Sequence, residues 1–264
     1  MTFNLDRERF MAAAGGEEKI ILARAADIAG VVLKSHKPGV TDFYDPYHAG
    51  LVVSALKKAA GLSWRADGGY LGAERQRVLI CPDYINPRDE DSGLSFLSLT
   101  VNFHGTRPGH RDFLGSLLGL GLKREKLGDI LVNDSGAHAV VAGEVAPYIL
   151  SNLSRVGRWE VSVEEIGADK LAVPEEKVKE VNTTVSSLRL DSVAAAGFGI
   201  SRSKMAEFIA AERVNLNWQV KSSPSQPVRE GDIISIRGRG RVEVAQVKGT
   251  SRSGRIFITL RRYY

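Results

Sequence analysis

The residues best suited to chemistry lie in the last third of the chain, at the turn between two short predicted helices. Ser201, Arg202 and Lys204 stand at the start of the second of these helices. A serine before the first helical residue can accept hydrogen bonds from the free amides of the first turn. Those amides and the two cationic side chains attract anions. The pattern predicts a site that binds phosphate.

Two residues at the start of the first predicted helix can join this site. Arg189 adds a third cationic side chain, and Asp191 follows it after one residue. A carboxylate beside an arginine is better interpreted as a partner that orients it than as an acid catalyst. Two uses of Arg189 and Asp191 stay open, an ion pair within the domain and direct contact of Arg189 with RNA.

Further candidate contacts lie at glycine-containing turns and in a predicted β-hairpin. Arginine and lysine at such positions bind backbone phosphates without reading the base sequence. The alternative is a solvated strand face with no ligand. The candidates are Asn217, Lys221, Arg237, Arg239, Arg241, Arg252 and Arg255.

The net positive charge of the chain lies in this C-terminal third. Residues 183–264 carry 14 Lys and Arg against 6 Asp and Glu, whereas the remaining residues carry 22 against 25. The formal net charge of the chain is +5. A segment with such an excess attracts polyanions, so we expect structured RNA as the partner.

Motifs for enzymatic chemistry are missing from the sequence. It has no Walker-type phosphate-binding loop, no zinc-ligand spacing and no nucleophile elbow. A single cysteine, Cys81, excludes an internal disulfide. We therefore expect no catalytic residues, no metal and no cofactor. The alternative is an RNA-modifying enzyme, which would gain support if His110, Asp112 and Asp129 converged in a deep pocket.

Hydrophobic periodicity predicts an α+β protein of three parts. These are a helical N-terminal region (1–62), an α+β sandwich (63–169) and a basic C-terminal domain of two helices followed by four strands (183–264). In the N-terminal region, Asp45 and Pro46 are typical of a helix start, and the helix is expected to run to Ala60. No stretch approaches the roughly 20 apolar residues of a membrane span. We expect a cytoplasmic monomer.

The middle part carries only a weak signal for RNA. Phe96 and Phe103 lie on a predicted strand, 94–103, that lacks the glycine–aromatic pattern of an RNA-recognition strand, so we expect both rings in the core. Lys123, Arg124 and Lys126 form a basic turn that could touch RNA.

The C-terminal motifs resemble the small RNA-binding domain first recognised in small-subunit ribosomal protein four. Matching elements fall in order over about 50 residues: Arg189-Leu190-Asp191, Ser201-Arg202 with Ala206, Val214 with Asn217, and Gly231-Asp232. Two residues depart from the pattern, Glu212 and Trp218, where the family often has glycine. The resemblance implies binding of structured RNA.

Most of the chain also resembles the bacterial YlmH proteins and their cyanobacterial and plastid relatives, the photosystem II RNA-binding-domain proteins. The most specific block runs from His110 to Ile130, and a second is Thr41 to Pro46. The resemblance implies a middle domain related to RNA-recognition folds. It also implies a factor of the large ribosomal subunit and tRNA that acts in rescue of stalled translation, or, as in the plastid-type relatives, in photosystem II assembly.

Overall fold

The computed structural model of the chain describes residues 5–11, 15–103, 105–175 and 177–263. The start of the predicted N-terminal region and Tyr264 lie outside the described residues. The chain divides into two compact units, residues 1–174 and 175–264, which are treated separately below. Both combine helices with antiparallel sheets, so the predicted α+β class is confirmed. Among the described residues, no helix combines the length and apolarity that crossing a membrane requires.

The first unit begins with helices that pack on a small sheet. Asp45 caps the third helix by accepting from the His48 amide at 2.9 Å, as the sequence predicts. That helix ends at Leu56, four residues before the expected end at Ala60. The elements are α1 (Arg7–Met11), α2 (Gly16–Ser35), β1 (Gly39–Val40), α3 (Pro46–Leu56), β2 (Leu62–Asp67) and β3 (Arg77–Pro82).

The strands β1, β3 and β2 share one hydrophobic core with α2 and α3. Leu22 and Val52 on the helices are in the same buried cluster as Leu62 and Ile80 on the strands. The sheet order is β1-β3-β2. The predicted domain boundary at residue 62 does not coincide with the edge of this core, which extends into β3.

The middle of the chain forms a five-stranded antiparallel sheet with two helices. Its strand order is β5-β6-β4-β8-β7. Without the two-residue β7, the chain order β-α-β-β-α-β and this strand order describe a split βαβ fold, the topology of RNA-recognition domains. The elements are β4 (Leu94–Val101), α4 (His110–Gly119), β5 (Leu127–Asn133), β6 (Gly136–Ala142), α5 (Ala146–Asn152), β7 (Arg155–Val156) and β8 (Trp159–Ile166).

Helices α4 and α5 cover one face of this sheet. Leu97 and Leu99 of β4 contribute to the same buried cluster as Phe113 of α4 and Ile149 of α5. Helix α5 is only seven residues long, because the chain turns into β7 at Arg155.

A buried arginine ties the N-terminal elements to the middle sheet. Arg77 of β3 donates from Nε to the Thr41 carbonyl and from Nη1 to the Gly93 carbonyl, each at 2.7 Å. Phe43 packs with Val140 and Ala142 of β6 in a further buried cluster. The N-terminal elements therefore cover part of the sheet face that α4 and α5 leave open.

The second unit contains two helices and a six-stranded antiparallel sheet ordered β11-β10-β12-β13-β14-β9. The sequence pattern indicates only four of these strands. The elements are β9 (Val178–Val185), α6 (Leu190–Phe198), α7 (Arg202–Ala210), β10 (Val214–Leu216), β11 (Gln219–Val220), β12 (Ile233–Ile236), β13 (Gly240–Thr250) and β14 (Ile256–Tyr263).

Strand β9 begins in the span 170–182, between the predicted middle and C-terminal domains. It pairs along its whole length with β14 at the edge of the sheet. Edge strands tolerate charged and polar residues, and β9 includes Lys179, Glu180 and Asn182. Its hydrophobic alternation is therefore too weak to reveal it in the sequence.

Helix α6 packs closely on the centre of this sheet. Val193 and Phe198 share a buried cluster with Val242 of β13 and Leu260 of β14. At Gly197 a β-carbon would lie 2.7 Å from Cγ1 of Val242, so only glycine permits this approach. The close packing positions the start of α6 and the turn that leads into α7.

Candidate nucleic-acid interface

The turn between α6 and α7 is built by two local signals. Gly199 ends α6 in the left-handed region at φ 66°, a conformation that glycine adopts at low cost. Ser201 then starts α7, and its Oγ accepts a hydrogen bond from the Lys204 amide at 3.3 Å. The cap predicted from the sequence is thus present, and it places Arg202 in the first turn of α7.

Asp191 connects the starts of the two helices. Its carboxylate accepts from Arg189 Nε at 3.1 Å and Nη2 at 3.3 Å, and from Arg202 Nε at 2.9 Å. The Asp191 side chain is 7% exposed, whereas those of Arg189 and Arg202 are 41% and 48% exposed. The carboxylate is therefore an orienting partner for two arginines, and both guanidinium groups still face solvent. We call these three residues the Asp191 cluster.

The Asp191 carboxylate is ionised in the folded protein. Burial by itself would raise the pKa of Asp191, but hydrogen bonds from Arg189 and Arg202 and the charges of both arginines outweigh it and hold the pKa below its usual value. The Ser192 amide also donates to this carboxylate, at 2.9 Å.

A second group of cations surrounds an aromatic ring on α7. The Phe208 ring centre lies 5.5 Å from Lys204 Nζ, 4.8 Å from Arg213 Cζ and 5.4 Å from Arg239 Cζ. Arg239 belongs to the turn between β12 and β13, so the ring brings together residues from separate elements. Sequence reasoning included Lys204 and Arg239 but missed Arg213, although it directly follows Glu212, a position at which the sequence departs from the ribosomal-protein pattern.

Arg237 and Arg241 flank Arg239 in the sequence but take different positions. Arg237 is exposed in the turn after β12. The Arg241 guanidinium lies 4.7 Å from the ring centre of Tyr263. Since Val242 is buried against the helices and side chains alternate along a strand, Arg241 lies on the sheet face away from α6 and α7.

Asn217 and Lys221 lie at the hairpin formed by β10 and β11, and both side chains have partners within the protein. Asn217 and Trp218 have φ of 51° and 63°, as a two-residue turn between β10 and β11 requires. Nδ2 of the Asn217 side chain donates to Asp232 Oδ1 at 2.8 Å, and Oδ1 of Asn217 accepts from the backbone amide of Ile233 at 2.9 Å. Lys221 Nζ donates to Gln219 at 2.8 Å. These contacts give Asn217 a structural role.

Arg252 and Arg255 lie at the far tip of the hairpin formed by β13 and β14. Strand β13 is 11 residues long, which at about 3.3 Å per residue separates its ends by roughly 35 Å. Arg255 also donates to Oγ1 and the carbonyl oxygen of Thr184 on β9, at 2.9 and 2.7 Å. The predicted set of contacts is therefore not one patch, because the long hairpin separates its tip from the turn that carries Arg237 and Arg239.

The open face of the middle sheet does not resemble an RNA platform. Ser98 is the cross-strand neighbour of His138 and Glu164, and these three polar residues share the face away from the helices. The segment after β8 crosses the same face, where the Ala172 amide donates to Nδ1 of His138 at 2.9 Å. Phe96 and Phe103 are both partly buried and packed against core clusters, as expected.

The basic turn of the middle domain is largely occupied by internal contacts. Arg124 donates from Nη1 to the carbonyls of Leu127 and Gly128 at 2.5 and 3.2 Å. Lys126 Nζ donates to carboxylates of Asp42 and Glu144 at 2.5 and 2.9 Å. Of the three cations in the turn that could touch RNA, only Lys123 is exposed.

The residues that would support an enzyme have structural partners. Asp129 accepts from the Tyr70 hydroxyl at 2.8 Å and from the amides of Glu74 and Arg75 at 2.7 and 3.1 Å. Asp112 accepts from the Gly109 amide at 2.8 Å, at the start of α4. Both carboxylates thus hold backbone segments in place.

His110 is perturbed but not enclosed. Partial burial, followed by the charge of Arg124, lowers the pKa of His110, yet its ring keeps an exposed surface. Among the described residues, no group of His, Cys, Asp and Glu side chains could hold a metal ion. This arrangement adds no support to the enzyme hypothesis.

Three family models match parts of the chain. Residues 17–85 match the family model "YlmH, N-terminal", and residues 87–170 match "Putative RNA-binding domain in YlmH". Residues 188–234, which include the Asp191 cluster, match "S4 domain".

Similar proteins cover nearly the whole chain. The Bacillus subtilis (strain 168) protein named "Ribosome-associated protein quality control protein P2" is 33% identical over 246 residues, which cover 93% of this chain and 95% of that protein. A solved structure, "Cell division protein ylmH from Streptococcus pneumoniae", is 25% identical with a TM-score of 0.53, and the match covers 60% of this chain and 97% of the other. With an RNA-recognition topology in the middle, an S4 domain at the Asp191 cluster and this relative over nearly its full length, the chain belongs to the YlmH family.

Proposed function

We propose that this protein binds the phosphate backbone of structured RNA, without catalysis, through a surface centred on the Asp191 cluster. The observation that carries the proposal is the nearly buried carboxylate that holds two half-exposed arginines from the starts of α6 and α7. An interaction that served stability alone would not need to leave both guanidinium groups facing solvent.

The physical advantage of the cluster is preorganisation. A flexible arginine loses about 0.5–1.5 kcal/mol of side-chain entropy when a ligand immobilises it. Here Asp191 has already restricted both side chains before RNA arrives. A guanidinium is planar and has five N–H donors, so one edge can bond to Asp191 while others remain for phosphate.

The proposed surface includes neighbouring predicted residues on the helix side of the unit. Ser201, Lys204, Arg237 and Arg239 belong to the first turn of α7 or to the turn between β12 and β13. Arg252 and Arg255 form a separate contact region at the hairpin tip. An RNA long enough to span the hairpin can contact Arg239 and the tip at once, whereas a short one cannot.

The proposed partners are ribosomal RNA or tRNA on the large ribosomal subunit, and the proposed role is rescue of stalled translation in the cytoplasm. Two findings support this choice: the S4 match over residues 188–234 and the name of the Bacillus subtilis relative, which places that protein in ribosome-associated quality control.

Salt-dependent binding tests the proposed surface. Arg189→Gln and Arg202→Gln, made in the full chain, should each weaken binding of a fluorescein-labelled RNA hairpin. Each should also reduce the magnitude of the slope of log affinity against log salt concentration by about one unit. Arg261→Gln is the matched control, because it removes the same charge on the opposite sheet face, where Arg261 pairs with Glu243 at 3.7 Å. Equal behaviour of all three variants would contradict the proposal.

The partner is tested in cells. Ultraviolet crosslinking followed by sequencing of the attached RNA should recover ribosomal RNA or tRNA, and the Arg189→Gln/Arg202→Gln double variant should recover much less. Co-sedimentation with purified large subunits provides an independent measurement. Recovery of messenger RNA alone would contradict the ribosomal assignment but not the phosphate site.

A further inference from the structure

Three cations that gather around one buried ring need an explanation. Phe208 is 8% exposed, and the cationic groups of Lys204, Arg213 and Arg239 all lie within 5.5 Å of its ring centre. They come from α7, from the residue before β10 and from the turn between β12 and β13. We call these four residues the Phe208 cluster.

The charges of the Phe208 cluster are poorly compensated within the protein. In the part of the chain that the structure describes, neither Arg213 nor Arg239 forms an ion pair. Lys204 Nζ lies 2.7 Å from Glu207 Oε2, but both side chains are more than half exposed, so this pair is weak. The ring face attracts each cation by only about 0.5–1 kcal/mol at an exposed site. Like charges repel one another, so an anion placed among them would stabilise the arrangement.

We propose that Lys204, Arg213 and Arg239 form a second phosphate subsite, which takes a phosphodiester of the RNA backbone, and that Phe208 is the residue that positions them. The inference rests on the proposed function and extends it beyond the Asp191 cluster. It assigns a role to Arg213 and Phe208, neither of which the sequence patterns single out.

The two clusters adjoin across the first turn of α7. Arg202 belongs to the Asp191 cluster, and Lys204 follows it by two residues on the same helix. Helical residues two apart point in different directions, so the two side chains serve different neighbours. One RNA strand that passes over this turn can place one phosphate at each cluster. Since only backbone groups are contacted, the second subsite adds affinity without base specificity.

The subsite is tested with the full chain and a fluorescein-labelled RNA hairpin titrated at several salt concentrations. Arg213→Gln and Arg239→Gln should each flatten the salt dependence by about one unit, and the double variant by about two. Arg261→Gln is again the control and should leave the slope unchanged. The proposal is overturned if Arg213→Gln and Arg239→Gln behave like Arg261→Gln while Arg202→Gln still weakens binding. If Arg202→Gln is also without effect, the proposed function fails together with the subsite.

Substitution of the ring tests its positioning role. Phe208→Leu keeps an apolar side chain for the core but removes the aromatic face, so affinity and salt slope should both fall. Phe208→Tyr retains the aromatic face, so its affinity and salt slope should both match those of the wild type. If Phe208 has only a structural role, Phe208→Leu should lower the unfolding temperature but leave the salt slope of RNA binding by the folded protein unchanged. That result would overturn the positioning role. If Phe208→Leu does not fold, the salt slopes of Arg213→Gln and Arg239→Gln against that of Arg261→Gln still decide whether the subsite exists.

Discussion

Oδ2 of Asp191 lies 2.9 Å from Nε of Arg202, across 11 residues of chain that include the whole turn between α6 and α7. The other carboxylate oxygen accepts from Arg189. A single buried carboxylate therefore sets the directions of two arginines that belong to different helices. This relationship makes charge and geometry predict opposite effects when Asp191 is replaced.

Asp191→Asn should weaken RNA binding although it removes a negative charge from a basic surface. The loss of orientation costs about 1–3 kcal/mol for two arginines, which exceeds the gain from one screened charge in water. Fluorescence anisotropy with an RNA hairpin, below the unfolding temperature of the variant, measures the difference. Glu212→Gln removes an exposed negative charge nearby and is the control, for which we expect unchanged or slightly tighter binding. Tighter binding by Asp191→Asn would show that net charge, not orientation, governs affinity.

The ionised Asp191 should make the C-terminal unit sensitive to acid. Because its folded pKa is depressed, its contribution to stability is present above the unfolded pKa of about 3.9 and is lost as the pH falls through the folded value. The difference in unfolding free energy between wild type and Asp191→Asn should thus shrink as the pH falls from about 5 to 3. Trp218 reports on this unit in a Trp64→Phe/Trp159→Phe background, because the chain has three tryptophans. A difference that is independent of pH would contradict the ionised pair.

Gly197→Ala should destabilise the C-terminal unit although alanine favours helices. The propensity gain is about 1 kcal/mol, but the new β-carbon would lie 2.7 Å from Cγ1 of Val242 and 3.2 Å from Cδ1 of Leu260. Overpacking of this kind costs about 1–3 kcal/mol, so the net loss should be up to about 2 kcal/mol. Differential scanning calorimetry measures this loss. In α3, a β-carbon added at Gly50 meets nothing within 4 Å, so Gly50→Ala should stabilise the protein in the same experiment.

Asp129→Ala should destabilise the first unit and leave RNA binding by the folded protein unchanged. The substitution removes the acceptor for Tyr70, Glu74 and Arg75 and leaves two backbone amides without this partner, at a cost of about 2 kcal/mol or more. Asp134→Ala, which breaks an exposed ion pair with Arg107, should cost at most about 1 kcal/mol. Urea unfolding compares the two variants. A folded Asp129→Ala protein of normal stability would reopen the question of a chemical role for this carboxylate.

The sequence predicts local features correctly where one residue bonds to its near neighbours in the chain. Asp45 and Ser201 cap α3 and α7 because a cap depends on amides only two or three residues away. The role of Asp191 as an orienting partner was also predicted, since it is close in sequence to Arg189. Strand β9 was missed because its pairing with β14 is formed with residues more than 70 positions later.

The sequence by itself determined where the net positive charge lies, how α7 begins, and which family the chain resembles. All of these follow from residue types over short spans. Only the tertiary structure decided which cations share a surface. The length of β13 separates Arg252 and Arg255 from Arg237 and Arg239, strand alternation places Arg241 on the other face of the sheet, and the Phe208 ring brings Arg213 beside Lys204 and Arg239. Such groupings depend on pairing and packing between distant segments, which residue type and spacing do not specify.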